Sequence, residues 1–294
     1  MSNSGINKNI VNSSWTLTIT PRRKLLSLNL RELFRFRDLI FLFVKRDFIS
    51  IYKQTILGPL WIVLQPLLTS LTLTVVFGSI AGIETGAPTM LFMLAGVTVW
   101  AYFSDCVTKT SDTFIVNQNI FGKVYFPRLV VPLSIVLTNF IKFLIQLVLF
   151  VVFYLVYVLL IDTETGVYIS WQIALLPLIV LIMAGLGLGF GLLISSMTTK
   201  YRDLRFLITF GVQLAMYASP IVYPLQMVPD KYKWILLSNP MTSVIETFKV
   251  GFFGEEFAIF NWFHIAYSAV FAVLVLFIGV VLFNKVEKSF MDTV

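Results

Sequence analysis

Charge is scarce in this chain. Only 13% of its 294 residues are Asp, Glu, Lys or Arg, whereas a soluble domain carries about 25%. Hydrophobic residues make up 58%, and many of them lie in long runs almost free of charge. This composition excludes an ordinary soluble domain and predicts an all-α protein that crosses a membrane several times.

Cysteine and histidine are almost absent. The chain has one Cys, Cys106, and one His, His264, so it has neither a disulfide framework nor a Cys/His metal site. No Ser/His/Asp or paired-carboxylate pattern is visible either. We therefore expect no catalytic residue, no metal and no cofactor in this chain.

The phosphate-binding loop of nucleotide-hydrolysing proteins is also missing. Gly122-Lys123 lacks both the upstream Gly and the following Ser or Thr of that loop. Four glycines alternate along one apolar run, and there they predict close approach between helices; they are Gly185, Gly187, Gly189 and Gly191. Energy for any transport must then come from another chain.

The apolar runs divide the sequence. Residues 1–24 form a polar tail without the apolar stretch of a cleaved signal peptide, and residues 25–56 form an amphipathic element. Residues 57–294 form the membrane domain. Six runs in that domain are long enough to cross about 30 Å of hydrocarbon, at about 57–80, 90–113, 133–160, 172–198, 204–222 and 262–284.

Lys and Arg are divided unequally between the two sides of these runs. One side receives seventeen and the other three. By the positive-inside rule, both termini are predicted to be cytoplasmic. The net charge of +7 is explained in the same way, so we expect no nucleic-acid partner.

Two segments outside the runs are predicted to contact the membrane. Residues 25–53 place cations between helically spaced apolar residues, which is typical of a helix in the cytoplasmic interface. A soluble helical hairpin below the membrane is the alternative. The apolar loop 223–261, divided by prolines, predicts a re-entrant hairpin packed on protein. Here the alternative is an extracytoplasmic cap.

Few charges lie within the runs. Asp105, Lys109 and Asp112 share one helical face and predict a self-paired stripe, with a role in substrate contact as the alternative. Lys142 is expected either to reach the interface or to pair with Asp105. Intramembrane aromatics are candidates for lining a sugar conduit; they are Trp61, Trp100, Tyr102, Phe103 and Tyr217.

Four segments in this order resemble the permease subunits of type 2 ABC exporters for lipid-linked polysaccharide, the O-antigen, capsule and teichoic acid exporters. They are Tyr52–Trp61 with Gln65-Pro66; the loop 117–132, reading NQNIFGKVYFPRLVVP; Ser219–Pro224 with Asn239-Pro240; and the tail with Phe283, Glu287, Phe290 and Asp292. The resemblance covers roughly residues 30–294.

The resemblance implies a homodimer of permeases with two copies of a separate ABC ATPase, which holds ATP and Mg. Residues 117–130 would be the coupling helix that inserts into the ATPase, and 199–205 a second contact. The implied coupling residues are Asn119, Lys123, Phe126, Pro127, Arg128, Lys200 and Arg202. The implied gate near the lipid pyrophosphate contains Arg46, Tyr52 and Lys53. The implied periplasmic gate contains Pro220, Tyr223, Pro224, Asn239 and Pro240.

The implied function is export of undecaprenyl-pyrophosphate-linked polysaccharide of the O-antigen type across the bacterial inner membrane. Capsule, teichoic acid, a drug or another amphiphile is the alternative cargo for the same architecture. A secondary transporter needs mid-membrane carboxylates and internal repeats, and neither is evident. A polytopic enzyme is disfavoured by the lack of clustered His or acidic residues.

Overall fold

A computed structural model describes residues 30–53, 56–121, 123–124, 126–160, 167–201 and 203–290. Every regular element in these ranges is helical. In chain order the α-helices are α1 (Leu30–Arg35), α2 (Arg37–Tyr52), α3 (Leu60–Leu73), α4 (Thr89–Ser111), α5 (Thr113–Phe121), α6 (Val130–Leu160), α7 (Leu176–Thr198), α8 (Leu204–Tyr217), α9 (Asp230–Ser238), α10 (Pro240–Phe253) and α11 (Trp262–Phe290). A π-helix, Thr74–Ile80, continues α3. The predicted polar tail 1–24 lies outside the described residues.

Five segments in the described ranges are long and apolar enough to cross a membrane. They are Leu60–Ile80, Thr89–Ser111, Val130–Leu159, Trp171–Thr198 and Trp262–Glu287. They coincide with five of the six predicted runs, so the multi-pass prediction is confirmed. The remaining run contains α8, whose 14 residues rise only about 21 Å. This helix ends early because Ser219-Pro220 follows it, and the residue before a proline avoids helical geometry.

Helix α7 lies at the centre, between α4 and α11, and its glycines permit this arrangement. A Cβ atom on Gly187 would come within 2.5 Å of the Cβ of Cys106 on α4. On the opposite side, a Cβ on Gly189 would come within 2.7 Å of the backbone nitrogen of Leu276 on α11. The prediction of close helix contact is confirmed, because one pair of the alternating glycines faces α4 and the other pair faces α11.

The loop between α8 and α11 folds into a helical hairpin. Every residue of α10 is buried, whereas α9 has no buried residue. The side chain of Asn239 accepts a hydrogen bond from the backbone N–H of Met241 and so caps α10, while Pro240 occupies its first turn, where no N–H is needed. Protein therefore encloses α10 on all sides, as a hairpin at membrane depth requires.

The amphipathic element is two helices that meet at Phe36. One side of α2 packs on α6 and buries Phe43 and Val44. Phe41, at 64% exposure, remains outside next to Lys45. An exposed apolar face bordered by cations is typical of a helix in the membrane interface.

Candidate functional site

The predicted coupling segment, residues 117–130, joins α5 to α6. Its surface and its interior are formed by different residues. Asn119 and Lys123 are exposed, whereas Phe126, Pro127 and Arg128 are buried. Only the first two are therefore placed to touch another protein directly.

A chain of aromatic rings holds the buried part of this segment. Phe126 packs edge-on against Phe43 of α2, with ring centroids 5.8 Å apart, and lies 5.8 Å from Phe121 of α5. Phe121 meets Phe114 at 5.9 Å, and Phe114 stacks on Phe283 of α11 at 4.5 Å. Aromatic pairs of this kind add to the stabilisation from buried area. These contacts join α5 to both α2 and α11.

Arg128, which the resemblance implies to be a coupling residue, is buried and faces inward. Its Nη1 donates a hydrogen bond to the carbonyl oxygen of Glu287 at 3.2 Å, and its guanidinium lies 5.3 Å from the Phe121 ring centre. Burial lowers the pKa of Arg128, and the charge of Glu287 opposes that shift. The residue therefore fastens the coupling segment to the end of α11.

The second predicted contact precedes α8. Lys200 is exposed beside Tyr201, and Arg202 lies outside the described residues. Arg205 pairs with Asp112 through Nε and Oδ2, 2.9 Å apart. Burial raises the pKa of the Asp112 carboxyl, and Arg205 opposes this. Asp112 had been expected to belong to a self-paired stripe, but it instead joins the start of α8 to the break between α4 and α5.

The predicted lipid-pyrophosphate gate extends from the second half of α2 to the residue just after its end. Arg46 pairs with its neighbour Asp47, with Nη2 and Oδ1 2.7 Å apart, and its guanidinium stands 4.6 Å from the centre of the Phe43 ring. Lys53 is exposed and follows the last helical residue. Tyr52 ends α2, and its side chain is not among those described. Arg46 thus already has a counter-ion within its own helix.

Two of the five predicted channel aromatics lie on the surface of the chain and three lie inside it. Trp61 on α3 and Tyr217 on α8 are 46% and 44% exposed. Trp100 and Tyr102 are buried but border a cavity. Phe103 packs against Trp100 and against Phe190 of α7. A ring enclosed in this way fits the core rather than a conduit wall, and so Phe103 is better explained by packing.

The residues of the predicted periplasmic gate come together around the end of α8. Asn239 donates a hydrogen bond to the Ser219 hydroxyl at 2.9 Å, which joins the Ser-Pro and Asn-Pro motifs. The Tyr223 hydroxyl donates to the carbonyl of Tyr217 at 3.4 Å. The remaining members, Pro220, Pro224 and Pro240, are buried.

Lys249 of α10 is a further residue at this place that the sequence did not reveal. Its side chain is fully buried; Nζ donates to the carbonyl of Pro220 at 2.5 Å and stands 3.3 Å from the Phe92 ring centre. Nearby, Glu246 accepts a hydrogen bond from the backbone N–H of Ile259 at 2.8 Å. In the sequence, Lys249 was only one of the three cations on the less basic side of the runs.

Three of the four charges predicted to lie within the runs, Asp105, Lys109 and Lys142, form one cluster. Asp105 pairs with Lys109 on the same helix and with Lys142 of α6, whose Nζ is 3.5 Å from the carboxylate. Lys109 also donates to the side-chain oxygen of Asn139 at 3.1 Å. Pairing between Lys142 and Asp105 was one of the two predicted alternatives, and it is confirmed. The cluster ties α4 to α6 through charge within otherwise apolar helices.

This architecture matches a known family. A family model described as ABC-2 type transporter covers residues 38–253, from α2 to the end of α10. The chain belongs to the ABC-2 type transporter family. The matched region includes the coupling segment, the intramembrane cluster and the hairpin around Lys249, whereas α11 lies beyond it.

Several ABC-2 relatives align over most of this chain. An O-antigen export system permease protein RfbA of Klebsiella pneumoniae is 27% identical over 255 residues, which cover 87% of this chain and 94% of that protein. An RfbA of Myxococcus xanthus is 28% identical over 226 residues, 76% of this chain and 83% of its own length. Polysialic acid transport protein KpsM of Escherichia coli is 24% identical over 244 residues, which cover 81% of this chain and 89% of that protein. The predicted resemblance to polysaccharide exporter permeases is confirmed by these names.

Proposed function

We propose that this ABC-2 chain is the transmembrane subunit of an ATP-driven exporter that moves O-antigen-type polysaccharide, linked to undecaprenyl pyrophosphate, across the bacterial inner membrane. The observation that carries the proposal is the similarity to O-antigen export permeases along 87% of the chain. Capsular polysaccharide is the second candidate cargo, because KpsM aligns over 81% of the chain. Teichoic acid or another amphiphile remains compatible with the same architecture.

The proposed assembly contains two copies of this chain and two copies of an ABC ATPase. Helices α3 and α8 support the dimer, because they present wide apolar surfaces: Trp61 and Leu68 on α3 are about half exposed, and Phe206 and Phe210 on α8 more so. The second copy and lipid would share these surfaces. In this proposal α8 and the turn after it complete a sixth crossing, α9 and α10 form the re-entrant gate, and both termini are cytoplasmic.

The proposed mechanism begins at the exposed residues of the coupling segment. Closure of the ATPase on ATP and Mg would push Asn119 and Lys123, and Lys200 would provide the second contact. The aromatic chain through Phe126 would carry the movement to α2, and the Asp112–Arg205 pair would carry it to α8. Helices α3 and α8 would then separate, and the glycan would pass between the two copies.

Deletion of the gene followed by complementation tests the cargo. We expect the deletion strain to retain lipid-linked O-antigen inside the cell and to lose it from the surface, with both effects reversed by the wild-type gene. Immunoblotting of surface and cytoplasmic-membrane fractions measures this. Normal surface O-antigen with loss of a capsule would transfer the proposal to the second cargo.

A further inference from the structure

Two cavities adjoin one another in the half of the molecule next to the coupling segment. The first, about 290 Å³, includes Arg46, Lys109 and Lys142 in its wall, and we name it the cation cavity. The second, about 380 Å³, includes Gln65, Gln146 and Gln213, and we name it the amide cavity. The side chains of Asn139 and Lys142 line both cavities. The two cavities therefore meet at these two residues.

The cation cavity has one positive charge more than its partners neutralise. Arg46 is paired with Asp47, and Asp112 with Arg205. Lys109 and Lys142 remain, and both depend on the single carboxylate of Asp105. Since the Lys142 side chain is only 16% exposed, its charge is sheltered from water. An anion placed there gains a charge-assisted hydrogen bond that bulk solvent weakens little.

The amide cavity has a different chemistry. Gln65 of α3 and Gln213 of α8 are exposed at the edge of this cavity, and their side-chain amides meet no hydrogen-bond partner within the described part of the chain. Two aromatic side chains, Trp100 and Tyr102, stand in the same wall. Polar side chains on apolar spans are costly unless they bind something. Amides suit sugar hydroxyls, and aromatic faces suit the C–H faces of a pyranose.

We propose that the joined cavities bind a phosphate-linked sugar, with Lys142 at the phosphate oxygens and the amide cavity around the adjoining ring. This assignment rests on the proposed function, because a polysaccharide on a lipid diphosphate carries both groups at one end. A volume of about 380 Å³ is near the lower end of the roughly 300–1,000 Å³ typical of small-molecule sites.

Equilibrium binding to the purified full-length chain in lipid nanodiscs tests the assignment with four probes. They are farnesyl diphosphate, farnesyl diphosphate carrying one hexose, a farnesyl hexoside without phosphate, and phosphatidylglycerol. We expect the hexose-bearing diphosphate to bind about tenfold more tightly than each of the other three, because only that probe occupies both cavities. Equal binding of phosphatidylglycerol would mean a general anionic-lipid surface and would overturn the proposal.

Two substitutions distinguish the contributions of the two cavities to probe binding. Lys142→Gln should weaken both diphosphate probes about tenfold, whereas Gln213→Leu should weaken only the probe that also carries a hexose. The matched control is Lys231→Gln, which removes a positive charge from α9 and should change neither affinity. If Lys142→Gln leaves both diphosphate affinities unchanged, or if Gln213→Leu lowers them equally, the assignment is wrong.

A second variant covers the case in which Lys142→Gln fails to fold. Asn139→Asp keeps the side-chain shape but adds a negative charge to the shared wall, and it should weaken both diphosphate probes. Unchanged affinities in a well-folded Asn139→Asp protein would overturn the proposal. Export assays on cells distinguish failure of this binding site from failure of the proposed function. Normal export without probe binding refutes only this site. Specific probe binding without export of any glycan refutes the proposed function.

Discussion

At the scale of single residues, the difference between exposed and buried positions gives the coupling residues distinct roles. Lys123 presents a charge to the outside, while Phe126 lies between α2 and α5 inside the molecule. The sequence grouped both as contacts of an ATPase. In the proposed exporter, the exposed Lys123 would contact the ATPase and the buried Phe126 would transmit the movement inside the chain.

Substitution at these two positions should therefore produce different defects. Lys123→Glu is expected to weaken capture of the ATPase, because it reverses the charge of an exposed contact. Phe126→Ala should leave capture near normal but abolish cargo-stimulated ATP hydrolysis, since truncating a buried Phe costs about 3–5 kcal/mol of local packing. Co-purification and ATPase assays measure the two effects, with Lys231→Glu on the opposite side as the control. Loss of capture in Phe126→Ala would show that the ring meets the ATPase directly.

Lys249 is the residue whose loss should most affect the proposed periplasmic gate. Lys249→Met retains the length of the side chain but removes the donor to Pro220 and leaves Glu246 without a nearby positive charge. Losing a hydrogen bond from a buried charged donor costs about 1.5–3 kcal/mol, so the melting temperature of the purified protein should fall. Adding Glu246→Gln should recover part of that loss. A double variant no more stable than Lys249→Met would contradict the electrostatic link.

At the scale of helices, small residues decide how closely the bundle packs. Their role was predictable from sequence, because alternating glycines within an apolar run are typical of a helix that packs closely on its neighbours. The pairing of each glycine with a particular neighbour was not predictable, since it depends on which helices surround α7. The end of α8 was predicted too late in the sequence, because the hydrophobic run continues to Val222 whereas the helix ends at Tyr217.

A pair of Gly→Ala substitutions tests the packing of α7. Gly187→Ala should destabilise the protein by about 1–3 kcal/mol, because the new methyl overlaps Cys106 and overpacked cores must shift. Gly211→Ala on α8 meets nothing within 4 Å and should leave stability unchanged or slightly higher. Thermal unfolding in one detergent compares them. Equal behaviour of the two variants would contradict the close contact between α4 and α7.

At the scale of the whole molecule, composition and charge distribution were sufficient to predict a multi-pass helical protein, and four ordered motifs were sufficient to predict its family. The internal networks were not visible in the same way. Asp112 and Arg205 lie 93 positions apart in the sequence, and Lys249 bonds a carbonyl 29 positions earlier. Contacts over such separations are set by how the helices pack, and a single sequence does not record that.

The whole assembly also determines where energy enters. In the proposed exporter this chain forms the path through the membrane, and ATP is hydrolysed on a separate subunit. The coupling segment is the part of this chain that the ATPase would move. The aromatic chain from Phe126 to Phe43 connects that segment to α2, beside the cation cavity. Arrival of cargo and movement of the coupling segment would thus act on the same helix.

Transport into sealed vesicles tests the central claim most directly. Vesicles containing this chain and the ATPase should accumulate undecaprenyl-diphosphate-linked glycan in their lumen only when ATP is supplied on the ATPase side. Accumulation should cease when the ATPase is omitted or when Phe126→Ala replaces the wild-type chain. Uptake that proceeds without the ATPase, driven by an ion gradient alone, would contradict the account and identify the chain as a secondary transporter.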